Sequence, residues 1–194
     1  LGDVYKRQIL TTAQALVAEG KIRAIGLSNE SVWGAARWLH LADSLGLPRM
    51  ATVQNEYSLL CRQFDTDWAE LSLIEDMPLL AFSPLATGLL SGKYAGDVIP
   101  DGSRRSLNPD LSGRVTPQVF PAVAAYLGVA ARHGLDPCQM AIAFCRSRPF
   151  RTIPIIGATT LGQLRTNIGA AGLVLAPDVL ADIAETHRSF PAPY

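Results

Sequence analysis

The amino-acid sequence predicts an α/β fold organised around a parallel sheet. Short apolar runs alternate with longer amphipathic segments, and the first three runs start about 28 residues apart, as one strand–helix unit requires. Every run also ends on polar or glycine-containing residues. In parallel α/β folds the carboxyl ends of the strands are where ligands bind.

The elements follow in order. Residues Leu1–Gln8 do not share the amphipathic pattern that comes next and begin without methionine. They are expected to be a non-native leader, which leaves 9–194 as the folded region. From Ile9 to Glu19 an Ala/Leu-rich pattern predicts a helix closed by Gly20. Lys21–Leu27 is the first strand and runs into Ser28-Asn29-Glu30. Val32 to Ser44 is helical, ended by Gly46 and Pro48. Ala51–Gln54 is the second strand, followed by Asn55-Glu56-Tyr57 and by a helix from Asp65 to Glu75. Leu79–Phe82 is the third strand and leads into Ser83-Pro84-Leu85.

The rhythm then breaks. Residues 92–116 are rich in Gly, Pro, Asp, Ser and Arg and show no period. A loop of that length inside a compact domain is usually functional or disordered. Thr116 as N-cap and Pro117 as the first helical residue open the next helix, which runs to His133 and stops at Gly134. Asp136-Pro137 opens another, ending near Arg146. Ile153–Ile156 is the fourth strand, with a helix from Thr160 to about Ala170 behind it. In the last helix, Pro177 to Arg188, residues Leu180, Ile183, Ala184 and His187 share one face.

Composition narrows the function. Seventeen basic residues balance seventeen acidic ones, and no long single-sign run occurs, which argues against a nucleic-acid partner. No apolar stretch approaches the ~18–20 residues of a membrane span, and no secretory signal is present. Cys61, Cys138 and Cys145 have no metal spacing, and His40, His133 and His187 are scattered, so packing or surface roles are expected for all six. A reducing, cytoplasmic setting fits this cysteine usage.

The chemistry is expected at the strand ends. The segment from Ile153 to Asn167 reads as strand, Gly157-Ala-Thr-Thr160 turn and helix start, where free backbone N–H groups and the helix dipole favour an anion. Thr159 adds a hydroxyl, and Gln163 and Asn167 fall on one helix face. With Ser28-Asn29, Gln54-Asn55 and Ser83 at the other strand ends, the pattern suits a nucleotide, although each residue also fits an ordinary cap or turn.

Four motifs, in this order and spacing, resemble the aldo-keto reductase superfamily. They are Gly20-Lys-Ile-Arg-Ala-Ile-Gly-Leu-Ser-Asn29, Gln54-Asn-Glu-Tyr-Ser-Leu-Leu60, Ser83-Pro-Leu-Ala-Thr-Gly-Leu-Leu-Ser-Gly-Lys-Tyr94 and Gly157-Ala-Thr-Thr-x-x-Gln-Leu-x-x-Asn167. The resemblance covers Ile9 to Tyr194 and is strongest to the Tas-like and potassium-channel β-subunit-like branch. It implies a parallel (β/α) barrel that binds NADP(H), of which this chain would be about half of a TIM barrel, strands five to eight, with a long loop after the third strand. By the same resemblance Ser28, Asn29 and Gln54 would hold the nicotinamide carboxamide, and Phe82 would stack on the nicotinamide ring. Ser83, Pro84, Leu85 and Thr87 would line the pyrophosphate path, with Lys93 and Arg104 of the long loop neutralising phosphate charge. Thr159 and Gln163 would face the 2′-phosphate and Asn167 the adenine, with Gly157 also counted among the cofactor-binding residues.

The family's chemistry uses an Asp, Tyr, Lys and His tetrad, which the resemblance assigns to the first half of the barrel. None of it is found here. Tyr5 lies in the expected leader, and no histidine stands at a strand end. The expectation is therefore an NADPH-dependent reductase of small aldehydes or ketones whose cofactor half is present and whose catalytic residues, like its N-terminal half-barrel partner, are missing. Such a chain would be inactive alone, and its unpaired sheet edges would invite self-association. A nicotinamide-binding regulatory subunit and a half-barrel that dimerises are the competing readings. Substrate identity and oligomeric state stay open.

Overall fold

A computed structural model describes residues 2–194; Leu1, the first residue of the expected leader, lies outside them. The helices are α1 Gly2–Ala18, α2 Val32–Leu45, α3 Asp67–Ile74, α4 Arg104–Leu107, α5 Val119–Arg132, α6 Pro137–Arg146, α7 Leu161–Gly169 and α8 Pro177–Ser189. The strands are β1 Ile25–Ser28, β2 Met50–Glu56, β3 Leu79–Phe82 and β4 Thr152–Pro154. They form one sheet in the order β1-β2-β3-β4. In β1 and β2, Leu27 faces Val53 and Ser28 faces Gln54 in a parallel register. Tyr57 N–H bonds Phe82 O at 3.2 Å, while Ile155 N–H bonds Ala81 O at 2.8 Å and Leu79 N–H bonds Arg151 O at 2.9 Å, so the later strands are parallel too.

The chain divides into two compact units. The first contains residues up to Asn55, Phe64–Leu80 and Pro149–Arg151; the second contains Glu56–Gln63, Ala81–Arg148 and Thr152–Tyr194. In the first unit, Ala35, Trp38, Leu39 and Ala42 of α2 are buried, with Val53 of β2 and Leu79 of β3. Phe64 stacks on Trp68 at 5.3 Å and tilts against Phe150 at 4.9 Å. In the second, Val119, Val123 and Tyr126 of α5, Met140 and Phe144 of α6, and Val179 and Ile183 of α8 are buried.

Several boundaries differ from the sequence expectation, each for a local reason. Helix α1 begins at Gly2 rather than Ile9, and Asp3 in its first turn pairs with Arg37 of α2 at 2.5 Å. Strand β1 begins at Ile25 rather than Lys21. Gly20, at φ 70°, turns the chain so that Lys21 and Ile22 N–H cap the Leu16 carbonyl and are unavailable to a ladder. Helix α3 starts at Asp67, because a 3-10 turn over Gln63–Asp65 precedes it. Helix α5 starts at Val119 rather than Pro117. Thr116 Oγ1 does accept from Val119 N–H at 3.2 Å, but Pro121 has no N–H for the Pro117 carbonyl. The first α-type bond is therefore Ala122 N–H to Gln118 O, 3.2 Å. Strand β4 stops at Pro154 instead of Ile156. Ser31, Asp136 and Thr160 cap α2, α6 and α7, each accepting a backbone N–H from the first turn of its helix.

The loop of 92–116 is not structureless. It holds a 3-10 turn over Ala95–Asp97 and the short helix α4. Among the described residues no single helix is long and apolar enough to cross a membrane.

Candidate functional site

In the first unit the β1–β2 register fixes a small polar group. Ser28 and Gln54 are register partners, so their side chains leave the sheet on the same face. Asn29 follows in a left-handed conformation, φ 51°, with its N–H on Gln54 O at 3.0 Å and its side-chain amide 3.5 Å from Ser28 Oγ. Ser28 and Asn29 are exposed and Gln54 is half-buried. Two amides and a hydroxyl at one strand end can donate to and accept from a planar carboxamide. Asn55 points to the other face, where its Nδ2 reaches Glu30 O at 3.4 Å.

In the second unit β3 feeds a tight turn. Phe82 is half-buried, Ser83 has φ 53°, and Pro84 is buried. Leu85 is right-handed, at φ −100° and ψ 15°; Ala86 (φ 46°), Thr87 (φ 57°) and Gly88 (φ 99°) then follow with positive φ. For a β-branched residue such as Thr87 that is a costly conformation. Ala86 N–H to Ser83 O (2.7 Å) and Gly88 N–H to Leu85 O (2.9 Å) hold the turn, and Thr87 Oγ1 donates to Ala86 O at 2.7 Å. The N–H groups of Ala86 and Gly88 are therefore committed to carbonyls within the turn. Gly88 is favoured by its φ of 99°. A Cβ there would lie 2.9 Å from Lys93 Cε and 3.1 Å from Nζ, so the end of the lysine side chain lies against the turn.

Arg104 opens α4 and is exposed, and its side chain has no hydrogen bond or ion pair among the described residues. Its neighbour Arg105 is buried and fully engaged. At α7, Thr160 Oγ1 accepts from Gln163 N–H at 3.2 Å, and Gln163 Oε1 accepts from both Thr159 N–H and Thr159 Oγ1 at 2.9 Å. Gly157, Thr159 and Gln163 are exposed. Asn167 is buried, and its Nδ2 is committed to Gly157 O at 3.2 Å, so it shapes the turn before α7.

One network escaped the sequence reading. At the end of β2, Glu56 accepts from Arg114 Nε at 2.9 Å and Nη2 at 2.6 Å, and from Tyr194 OH at 3.0 Å. Arg114 also donates to Leu111 O at 2.9 Å and lies 5.8 Å over the Tyr194 ring. The bidentate carboxylate raises the Arg114 pKa, while burial, then the Glu56 charge, raises that of Tyr194. Residues 58 and 138 positions from Glu56 give no local signal of this contact.

The cysteines and histidines form no site. Among the described residues no group of three or more His, Cys, Asp or Glu could hold a metal. Burial, then the Glu56 charge, pushes the Cys61 thiol up to about 11; burial, then Asp136, does the same for Cys138. Both thiols are protonated at neutral pH and are poor nucleophiles. Because the folded pKa is the higher one, the associated stability is full below the ordinary thiol value of 9.0 and is lost as pH rises through about 11. The urea midpoint is expected to fall over that interval, and Cys61→Ser with Cys138→Ser to flatten the fall. A midpoint unchanged across it would refute the assignment.

These features define a class. Residues 3–188 match the family model described as Aldo/keto reductase family, and the chain belongs to that family of oxidoreductases, which generally use NAD(P)H. It is 48% identical over 190 residues to Protein tas of Escherichia coli, covering 95% of this chain and 55% of that protein. An aldo-keto reductase of Babesia bovis is 37% identical over 165 residues, 82% of this chain and 58% of that protein. A probable voltage-gated potassium channel subunit beta of Arabidopsis thaliana is 32% identical over 173 residues, 82% of this chain and 53% of that protein. The chain thus spans about half the length of the curated relatives it matches.

Proposed function

We propose that this chain carries NADP(H)-binding elements of an aldehyde or ketone reductase, as about half of a (β/α) barrel. The observation that carries the reading is the Ser83–Gly88 turn at the end of β3: four left-handed residues with the Lys93 ammonium packed against them. A cation held against a fixed turn at a strand end suits an anion, and a pyrophosphate has the right charge. Arg104, without a hydrogen bond or ion pair among the described residues, would add a second cation, and the exposed Thr159 and Gln163 would serve the 2′-phosphate. Ser28, Asn29 and Gln54 suit the carboxamide, and Phe82 offers a flat face for the nicotinamide ring. The bound cofactor would supply a hydride. The residues of this chain bind and orient it, and none is assigned as proton donor.

Fluorescence titration with NADPH tests the reading. The chain is expected to bind, and Lys93→Met to weaken binding about tenfold, the usual worth of one charge-assisted contact to phosphate. Absence of binding by the unaltered chain would end it. The same polypeptide is expected to show no NADPH oxidation with 4-nitrobenzaldehyde, and turnover above the blank would overturn that. The likeness to the Arabidopsis channel subunit favours a second reading, a nucleotide-binding regulatory role, which measurable NADPH binding without turnover in the full-length protein would support.

A further inference from the structure

Residues 94–109 of the loop are folded around the Arg105 guanidinium. Arg105 has a side chain only 5% exposed, and all three of its nitrogens are engaged. Nη2 pairs with Asp97 Oδ1 at 2.7 Å, Nη1 donates to Val98 O at 3.3 Å, and Nε donates to Pro109 O at 3.2 Å. Its guanidinium lies 5.6 Å from the Tyr94 ring centre and 5.4 Å from that of Phe120. One group therefore joins residues 94–98, Pro109 and α5. Between the buried Tyr94 and Leu111, the apolar residues Val98, Ile99 and Leu107 are exposed and leave this bridging to the guanidinium.

Two neighbours of Arg105 are the cations assigned above to phosphate. Arg104 precedes it in sequence. Lys93 Nζ lies 4.9 Å over Tyr94, the ring that also carries the Arg105 guanidinium. We infer that Arg105 is a positioning residue for anion binding: it contacts no ligand, and it fixes the loop so that Lys93 and Arg104 present their charges together. This rests on the NADP(H) reading above. Lysine cannot replace it, since a single ammonium has neither the planar fork nor the stacking face that bridges five groups here.

The test uses the full chain with Arg105→Lys, Arg104→Ala and the double variant. Hydrogen exchange of peptides spanning 94–111 should accelerate in Arg105→Lys while α5 and α6 keep their protection. NADPH affinity should fall about tenfold in either single variant, and the double variant should be little worse than Arg105→Lys, because a displaced Arg104 has nothing left to lose. Losses that simply add, or loop exchange that stays unchanged, would overturn the inference while leaving the NADPH reading intact. An unaltered chain that binds no NADPH overturns both. Should Arg105→Lys fail to fold, Asp97→Asn probes the same knot from its exposed end, with faster loop exchange expected and unchanged exchange decisive against it.

Discussion

Arg114→Ala is expected to destabilise the second unit by about 3–5 kcal/mol, the cost of stranding a buried carboxylate. Arg114 and Glu56 side chains are 15% and 20% exposed, so water replaces little of what is lost. Only the Tyr194 hydroxyl would remain on Glu56. The loss comes from the unpaired charge rather than from the pair itself. Glu56→Gln in the Arg114→Ala background should therefore recover part of it, which a deleted packing contact would not allow. Urea unfolding followed by circular dichroism gives both numbers. A single-variant loss under about 0.5 kcal/mol, the scale of a solvated surface pair, would show that the bridge does not matter.

Phe144→Ala is the other large effect expected, again about 3–5 kcal/mol, from lost transfer energy and the cavity left behind. Phe144 is 1% exposed in α6. It stacks against Tyr57 at 6.1 Å and 13°, with the guanidiniums of Arg62 and Arg148 at 5.0 and 5.3 Å from its ring centre. Phe144→Leu keeps most of the volume but no π face. It should cost about 1–2 kcal/mol, and the difference between the variants isolates the aromatic contribution. Equal losses for Leu and Ala would mean that the rings and cations contribute nothing beyond filled space.

Local signals were readable in advance, and non-local ones were not. The apolar run Leu79–Phe82 became β3 at the expected residues, and helices begin at Asp136-Pro137 and at Thr160 where the pattern placed their starts. Their physics lies within four residues of chain. The order in 92–116 was illegible because it comes from contacts distant in sequence, the Arg105 guanidinium reaching from Asp97 to Pro109 and Arg114 reaching Glu56, inside a composition that otherwise reads as loop. The Tyr194 bond to Glu56 was hidden for the same reason. At the candidate site, type and order of residues were plain, but commitment was not. Asn167 sits on the expected helix face yet spends its amide on Gly157, and Arg105, not the neighbouring Arg104, is the buried arginine.

The backbone after β3 has a consequence for when the chain can bind an anion. Ala86 and Thr87 do not choose positive φ by themselves; the surrounding structure imposes it. In the unfolded chain nothing holds that turn and Lys93 together, so their arrangement is absent until the rest of the unit has condensed. An anion that needs both would bind only the native chain and raise its melting temperature by mass action. Saturating ligand would act as a folding clamp, and the nascent polypeptide would gain that protection only at the last step of its maturation.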